Sequence, residues 1–186
     1  MQSLFFITII VIAVLSASAF RKISSPVAAN SFISMIGVGD AAPDFELKNS
    51  KGKSFKLSSF KNKKPVVVFF YPADNTPGCT TEACAFEKRA PDFKKTGAVV
   101  FGVSSGGPAD KEKFIRANKL QSMELLIDEG NKLRSSWKVP KALFGAFPGR
   151  VTYVIGKDGK VLSKYDDLAK AAVHPEKALE ALQAGR

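Results

Sequence analysis

The sequence contains few of the residues that build metal sites and disulfide frameworks. Its 186 residues include two cysteines, Cys79 and Cys84, and one histidine, His174. A closed structural zinc site needs four nitrogen or sulfur ligands, which these three residues cannot supply. Small secreted scaffolds depend on several disulfides, and two cysteines do not form such a framework. We therefore expect no metal and no cofactor.

Long hydrophobic runs are also absent. The longest, from Leu4 to Leu15, has 12 residues including one threonine, whereas a membrane-spanning helix needs about 20. This length suits the apolar region of a signal peptide, and Ala17-Ser18-Ala19 fits the small-residue cleavage pattern. The preceding Met-Gln-Ser carries no Lys or Arg, however. A secreted protein, or one anchored in a membrane by residues 4–20, is therefore the alternative.

Acidic residues are missing from the first part of the chain, where the first one is Asp40. Residues 20–36 are rich in serine and contain two basic residues, which is typical of an organellar transit peptide. A signal peptide followed directly by such a segment, with Phe20 at the junction, resembles the bipartite leader of algae with secondary plastids. The sequence thus predicts a signal peptide at 1–19, a transit-peptide-like segment at 20–36 and a folded domain at 37–186. The leader predicts that this domain is located in a plastid.

Positive charge exceeds negative charge, with 28 Lys and Arg against 17 Asp and Glu. Seven of the lysines lie between Lys48 and Lys64, in a stretch with no acidic residue. The stretch lacks the aromatic interleaving of a single-strand nucleic-acid platform, so we expect no nucleic-acid partner. We interpret it as the solvated rim of a hairpin, with an anionic protein or membrane surface as the alternative partner.

Three continuous apolar segments predict strands that are buried on both faces of a sheet. They are Val66 to Tyr71, Ala98 to Ser104 and Met123 to Glu129. Helical patterns follow them at Thr80 to Lys95, Pro108 to Lys119 and Asn131 to Val139. Strands that alternate with helices imply an α/β domain in which helices cover both faces of a central sheet.

Hairpins are predicted on either side of this alternating region. Their bounds are Asp44 to Phe60 and Val151 to Tyr165, and a last helix spans Pro175 to Gln183. The second hairpin adds antiparallel strands, so the predicted sheet is mixed. This arrangement, with a cysteine where the first buried strand leads into its helix, resembles the thioredoxin-like fold.

Both cysteines lie in the segment YPADNTPGCTTEAC, residues 71–84. A zinc site, a structural disulfide, two inert core thiols and a redox pair are the possible interpretations. Zinc lacks ligands. On one helix, a spacing of five residues separates the Cα atoms by about 8.7 Å, whereas a disulfide needs them within about 7 Å. A bond can form only if the helix unwinds, which suits a reaction cycle better than a static link.

The position of Cys79 favours a nucleophile over an inert thiol. Thr76 suits the N-cap of a helix and Pro77 its first position, which makes Cys79 the third helical residue. There the unpaired backbone N–H groups and the helix dipole stabilise a thiolate. Gly78 lets a ligand approach the backbone closely. The inert alternative remains open, because a free cysteine is often a small core residue.

The residues from Pro72 to Cys79 match the Pro-x-x-x-Thr-x-x-Cys signature of peroxiredoxins. With the following TTEAC, the segment resembles the Q-type subclass, also called the bacterioferritin comigratory protein group. The resemblance extends from Asp40 to the C-terminus and includes residues 143–155. It implies a thioredoxin-like fold and a thiol peroxidase that reduces hydrogen peroxide and organic hydroperoxides in antioxidant defence.

The resemblance also implies a role for five residues. Cys79 is the peroxidatic cysteine, and Cys84 is the resolving cysteine that closes a redox-active disulfide with it. Thr76 contacts the peroxide and the thiolate. Arg150 stabilises the thiolate and the charge that develops on the leaving oxygen, and Pro72 shields the site. Without the resemblance, Thr76 is only a cap and Arg150 an ordinary cation at a strand edge.

A thioredoxin-type protein is the implied reductant, and we expect a monomer. Two other functions use the same residues. A thiol–disulfide oxidoreductase usually carries C-x-x-C, which is absent; a non-catalytic redox sensor could bind a partner through the Lys48–Lys64 stretch.

For five further residues we expect a structural role rather than a catalytic one. Glu82 is expected to oppose thiolate formation and to be structural. His174, which precedes Pro175 at a helix start, is expected at the surface or in the cap region of that helix. Trp137 and Phe144, with Phe147, either line the approach for a substrate tail or pack in the core.

Overall fold

A seven-stranded mixed sheet forms the centre of this computed structural model, which describes residues 36–185. The leader predictions, at residues 1–19 and 20–36, lie outside the described residues apart from Ile36. The strands of the sheet are β1 (Glu46–Asn49), β2 (Ser54–Lys56), β3 (Val66–Phe70), β4 (Val99–Ser104), β5 (Glu124–Ile127), β8 (Val151–Ile155) and β9 (Val161–Asp166). Two short strands, β6 (Lys141–Ala142) and β7 (Phe147–Pro148), pair with each other separately.

The sheet has the order β2-β1-β5-β4-β3-β8-β9. The central strands β3, β4 and β5 are parallel, and antiparallel strands flank them on both sides. The helices are α1 (Pro77–Lys88), α2 (Ala90–Thr96), α3 (Pro108–Asn118), α4 (Lys132–Ser136) and α5 (His174–Ala184). The predicted α/β domain with a mixed sheet and an N-terminal β-hairpin is therefore confirmed.

Strand β3 shows why the central strands read as continuous apolar runs. Val68 and Phe70 belong to the core on one face of the sheet, which α4 and the first hairpin cover. Val67 and Phe69 belong to the core on the other face, beneath α1, α2, α3 and α5. Every residue of β3 is buried, which accounts for its uninterrupted apolar sequence, and the segment with both cysteines follows its carboxyl end.

The helical segment predicted from Thr80 to Lys95 is interrupted near Pro91, as the proline indicated, and it starts at Pro77. It begins at Pro77, whose fixed φ suits the first helical position. Pro91 lies at the start of α2 and separates it from α1 at Arg89, because proline cannot continue the hydrogen bonding of a preceding helix. Among residues 36–185 no helix is long and apolar enough to cross a membrane.

Candidate active site

Cys79 lies at the third position of α1 and is buried, with 1% of its surface exposed. Thr76 takes the extended N-cap conformation, and its carbonyl oxygen accepts the first helical hydrogen bond from Thr80 at 2.9 Å. Its hydroxyl, however, makes no capping bond and donates to the carbonyl of Ala73 at 3.2 Å. Thr76 is therefore the predicted N-cap residue, but its side chain does not cap the helix, and the backbone N–H groups of the first turn, including that of Cys79, keep no side-chain acceptor from Thr76.

Arg150 comes directly before β8 and reaches the sulfur of Cys79 from the neighbouring strand. Its Nη2 atom is 3.5 Å from Sγ, and the side chain is 3% exposed. Its Nε donates to the carbonyl of Leu168 at 3.2 Å, which fixes the plane of the guanidinium. Gly78 permits this approach, because a Cβ there would lie only 3.1 Å from Nη2. Arg150 is thus a buried partner of the thiol and not an exposed cation at a strand edge.

Glu82 is buried one turn after Cys79 and forms an ion pair with Nη1 of Arg150. Burial raises the pKa of Glu82 to about 8, and the charges of Arg150 and Arg134 oppose this increase. The carboxyl therefore acts on the thiol through the guanidinium that both side chains contact.

His174 lies at the start of α5, in the predicted cap region, but it is fully buried, so the surface alternative was wrong. The residue opens α5, as the following proline indicated, but α5 packs its first turn against α1 and β8. Its Nδ1 is 2.8 Å from the hydroxyl of Thr152 and 3.4 Å from Oε1 of Glu82. Burial lowers the pKa of His174 to about 4. The imidazole is thus part of the buried polar group behind Arg150.

Arg134 is a second buried arginine that sequence reasoning missed. Its guanidinium donates to the carbonyls of Tyr71 and Gly149, at 2.9 and 2.8 Å. The carboxylate of Asp128 accepts the backbone N–H groups of Leu133 and Arg134, both at 2.8 Å, and so holds the start of α4. Arg134 thereby ties the end of β3 to the residue before Arg150, and no local pattern distinguishes it from an ordinary surface cation.

A fully buried lysine holds the loop between β3 and α1. Nζ of Lys111 donates to the hydroxyl of Ser104 at 2.6 Å and to that of Tyr71 at 3.0 Å, and it pairs with Asp74 at 3.3 Å. The hydroxyl of Tyr71 donates to Asp74 at 2.6 Å. Asp74 lies in the same loop as Pro72, which is half-buried. The network therefore fixes the loop that leads to Cys79, and the shielding role of Pro72 stays a prediction.

Cys84 lies on the same uninterrupted helix as Cys79 but faces outward. It is exposed, and its Sγ lies 3.9 Å from the side-chain oxygen of Asn118 in α3. Both thiols are free. The five-residue spacing on one intact helix, which the sequence predicted, is therefore present.

The aromatic residues proposed to line the approach differ in burial. Trp137 is fully buried and packs against Phe70 and Tyr153, so it does not line an approach. Phe144 and Phe147 are exposed in and beside the short turn between β6 and β7. In that turn Leu143 and Phe144 have φ values of 50° and 56°. No group of His, Cys, Asp and Glu side chains within residues 36–185 could hold a metal ion.

Comparisons with known proteins agree with this geometry. Residues 38–164 match the model of the AhpC/TSA family. A chloroplastic peroxiredoxin Q of Sedum lineare is 45% identical over 167 residues, which cover 90% of this chain and 89% of that protein. The crystal structure of peroxidoxin BcpB from Mycobacterium tuberculosis is 35% identical with a TM-score of 0.73, covering 81% of this chain and 99% of that one. A bacterioferritin comigratory protein of Xanthomonas campestris, described for its alkyl peroxide reduction activity, is 28% identical with a TM-score of 0.70 and respective coverages of 81% and 97%.

The plastid location predicted from the leader is also confirmed, since the Sedum relative is a chloroplastic protein. The boundaries of the leader segments stay predictions.

Proposed function

Since the chain belongs to the AhpC/TSA family, as a thiol peroxidase of the peroxiredoxin Q type, we propose that Cys79 is its peroxidatic cysteine and Cys84 its resolving cysteine. One observation carries the assignment. The buried thiol of Cys79 lies at a helix N-terminus with a guanidinium nitrogen of Arg150 at 3.5 Å. Both features favour the thiolate, which is the nucleophilic form of cysteine. Cys84 has neither.

The first step is an attack of the Cys79 thiolate on one oxygen of the peroxide. A sulfur–oxygen bond forms and the O–O bond breaks, so the sulfur is oxidised to a sulfenic acid and the second oxygen leaves as an alcohol or water after taking up a proton. Negative charge moves from sulfur to the leaving oxygen. Arg150 stays next to both and stabilises this charge, and the hydroxyl of Thr76, three residues before the sulfur, contacts the peroxide.

The second step is the attack of the Cys84 thiol on the sulfenic acid of Cys79, which forms the disulfide and releases water. On the intact helix the two Cα atoms are about 8.7 Å apart, too far for a disulfide. The start of α1 must therefore unwind. Pro91, at the start of α2, confines this change to α1 because it separates the two helices.

We assign hydrogen peroxide and organic hydroperoxides as substrates. Alkyl peroxide reduction is described for the Xanthomonas relative. In this chain β7 leads through Gly149 into Arg150, so the exposed ring of Phe147 lies on the segment that enters the site. An apolar ring there suits the hydrocarbon part of an organic hydroperoxide.

A thioredoxin-type protein is the proposed reductant, and a monomer is the proposed working form. Cys84 is exposed, so the unwound segment offers a disulfide that a reductant can reach. Both cysteines come from one helix, so the cycle needs no second chain. Turnover with thioredoxin and its reductase, compared with glutathione and glutaredoxin, tests the reductant, and sedimentation over a range of concentrations tests the monomer.

Exchange of each cysteine for serine tests the roles. Cys79→Ser should abolish turnover, because a serine hydroxyl is hardly ionised at neutral pH. Cys84→Ser should still reduce about one equivalent of peroxide and then stop as a sulfenic acid or recycle poorly with thioredoxin. Trapping of the sulfenic acid with a dimedone probe identifies it. The assignment fails if Cys84→Ser, and not Cys79→Ser, loses the first oxidation.

A further inference from the structure

Behind Arg150 lies a buried pair of titratable side chains that the two-cysteine cycle does not use. Glu82 of α1 and His174 of α5 are both fully buried. Nδ1 of His174 is 3.4 Å from Oε1 of Glu82, and Oε2 of the same carboxyl binds Arg150. Nη2 of that arginine is 3.5 Å from the sulfur of Cys79. A single guanidinium therefore joins the pair to the thiol.

The hydrogen-bond partners of His174 define which of its two ring nitrogens carries the hydrogen. Nε2 is 2.8 Å from the carbonyl oxygen of Asp167. Because a carbonyl only accepts hydrogen bonds, Nε2 bears a hydrogen. Burial lowers the pKa of His174 to about 4, so the ring is neutral near pH 7 and Nδ1 has the lone pair. The hydroxyl of Thr152, at 2.8 Å, donates to Nδ1.

Oε1 of Glu82 is a buried polar atom without a hydrogen-bond partner among residues 36–185. An ionised Oε1 would face the lone pair of His174 across 3.4 Å, and a buried acceptor without a donor is costly. A hydrogen on Oε1 removes the negative charge that would otherwise face the lone pair of Nδ1, which already accepts the hydrogen bond of Thr152.

Charged groups on several elements face the pair. Arg150 before β8 and Arg134 of α4 favour an ionised Glu82, but burial outweighs them and raises its pKa to about 8. Burial is also the main reason that the pKa of His174 is low. Arg150 lowers that pKa further, while the loop residue Asp167 raises it. The edge of Tyr165 packs on the imidazole, with the ring centroids 4.8 Å apart.

We propose that Glu82 holds one exchangeable proton on Oε1, beside the neutral ring of His174, and that this proton leaves the site when Cys79 is oxidised. In the reduced protein the thiolate and Arg150 have opposite charges, and the proton-bearing pair is neutral. Oxidation removes the thiolate charge. A retained proton would then leave one uncompensated positive charge in a buried site, which is unfavourable. Its loss leaves a carboxylate against Arg150 and restores neutrality.

The proposal rests on the proposed role of Cys79, and it supplies a proton that the reaction needs. Thiolate attack produces a sulfenic acid and an alkoxide or hydroxide, which takes up one proton; the step with Cys84 then releases water. From a thiolate and a thiol, disulfide formation thus consumes one proton. If the pair releases one, net uptake from the solvent is zero. Unwinding of α1 assists the release, because Glu82 lies between the two cysteines.

Proton uptake during a single oxidation tests this. The reduced protein is mixed with one equivalent of hydrogen peroxide in a weakly buffered solution with a pH indicator, and disulfides are counted by thiol titration. The ultraviolet thiolate absorbance that Cys79→Ser lacks shows whether Cys79 is ionised. We expect an ionised Cys79 and close to zero protons taken up per disulfide. Glu82→Gln has no proton to release and should take up about one. Glu176→Gln, the same change on the exposed side of α5, should match the unaltered chain.

Uptake of one proton by the unaltered protein with an ionised Cys79 overturns the proposal, and so does a Cys79 that is still a thiol at neutral pH. If Glu82→Gln does not fold, an infrared difference spectrum of the two redox forms decides. A protonated-carboxyl band should be present in the reduced form and lost on oxidation. A persistent or absent band contradicts the proposal. Failure of the proposed role of Cys79 is distinguishable from failure of the proton proposal, because in the first case Cys79→Ser would still consume peroxide.

Discussion

Two buried contacts between a carboxyl group and a basic side chain support the reactive segment, and they are built differently. Lys111 pairs with Asp74 below the loop before α1, and Arg150 pairs with Glu82 below its first turn. Around Lys111 the ammonium has three acceptors, namely Asp74 and the hydroxyls of Tyr71 and Ser104. In the other pair one carboxyl oxygen has no partner.

This difference separates a geometric role from a chemical one. A fully satisfied buried network is rigid, and removal of one member leaves an uncompensated charge. An incompletely satisfied carboxyl beside a thiol can instead change its protonation when the charge of the thiol changes. We therefore expect substitutions in the first pair to affect mainly stability, and substitutions in the second to affect mainly reactivity and pH dependence.

The largest effect is expected from Lys111→Met. Loss of the ammonium leaves the buried carboxylate of Asp74 without its cation, which should lower the free energy of unfolding by about 3–5 kcal/mol. Urea denaturation measures it. Lys113→Met, an exposed change on the same helix, is the control. Asp74→Asn added to Lys111→Met should restore part of the loss; an equal loss in Lys113→Met, or none in Lys111→Met, would contradict the geometric role.

The free energy of unfolding should depend on pH in opposite directions for Glu82 and for His174. Its pKa rises from 4.5 to about 8 on folding, so its contribution is fully present below 4.5 and is lost as the pH rises through 8. His174 has the opposite sign. Its pKa falls from 6.5 to about 4, so its contribution is present above 6.5 and is lost as the pH falls through 4.

Glu82→Gln removes only the first of these slopes. The stability of the unaltered protein relative to Glu82→Gln should therefore fall between pH 5 and pH 8.5, by on the order of a few kcal/mol. Chemical denaturation at a series of pH values measures the difference. A difference that is constant with pH would mean that Glu82 keeps the same protonation in both states and would remove the contrast with Asp74.

Arg150→Met should slow the reaction with peroxide while the fold persists. Removal of one charged donor should cost at least about 1.4 kcal/mol of transition-state stabilisation, a tenfold loss of rate. Stopped-flow measurement of the second-order rate constant tests it, with the exposed Arg116→Met as the control. An unchanged rate constant would show that the guanidinium near Cys79 takes no part in the chemistry.

The smallest effect is local and concerns motion. The proposed disulfide requires the start of α1 to unwind and to lose helical hydrogen bonds, so amides from Gly78 to Phe86 should exchange with solvent much faster in the disulfide form. Amides of Val66–Phe70 should hardly change, since that strand is buried. Hydrogen exchange on both redox forms measures this. Equal protection of the helical segment would mean that the disulfide forms without unwinding.

Local patterns were sufficient for most of the fold. Strand β3 consists of five apolar residues buried on both faces, and Pro77 defined the helix start that places Cys79. The turn between β6 and β7 was not predicted, because Leu143 and Phe144 adopt left-handed conformations that neither side chain favours.

The buried charges could not be predicted because their partners are distant in sequence. Glu82 and Arg150 are 68 positions apart, and Lys111 and Asp74 are 37 apart. A charged residue on a helix normally faces solvent, so only the tertiary fold shows that these do not. The burial of His174 was also not predicted, because its place before Pro175 at a helix start does not show that α5 packs this end against α1.

Placement of both cysteines on α1 has a consequence for how the protein responds to dilution. Closure of the disulfide is a first-order process, because the second thiol is delivered by the same helix at a fixed effective concentration. A peroxidase that borrows this thiol from a neighbouring chain loses it when the assembly dissociates. With Cys84 as the resolving cysteine, as proposed, the rate of closure would be independent of protein concentration, and each molecule would complete its oxidation alone, however low its concentration.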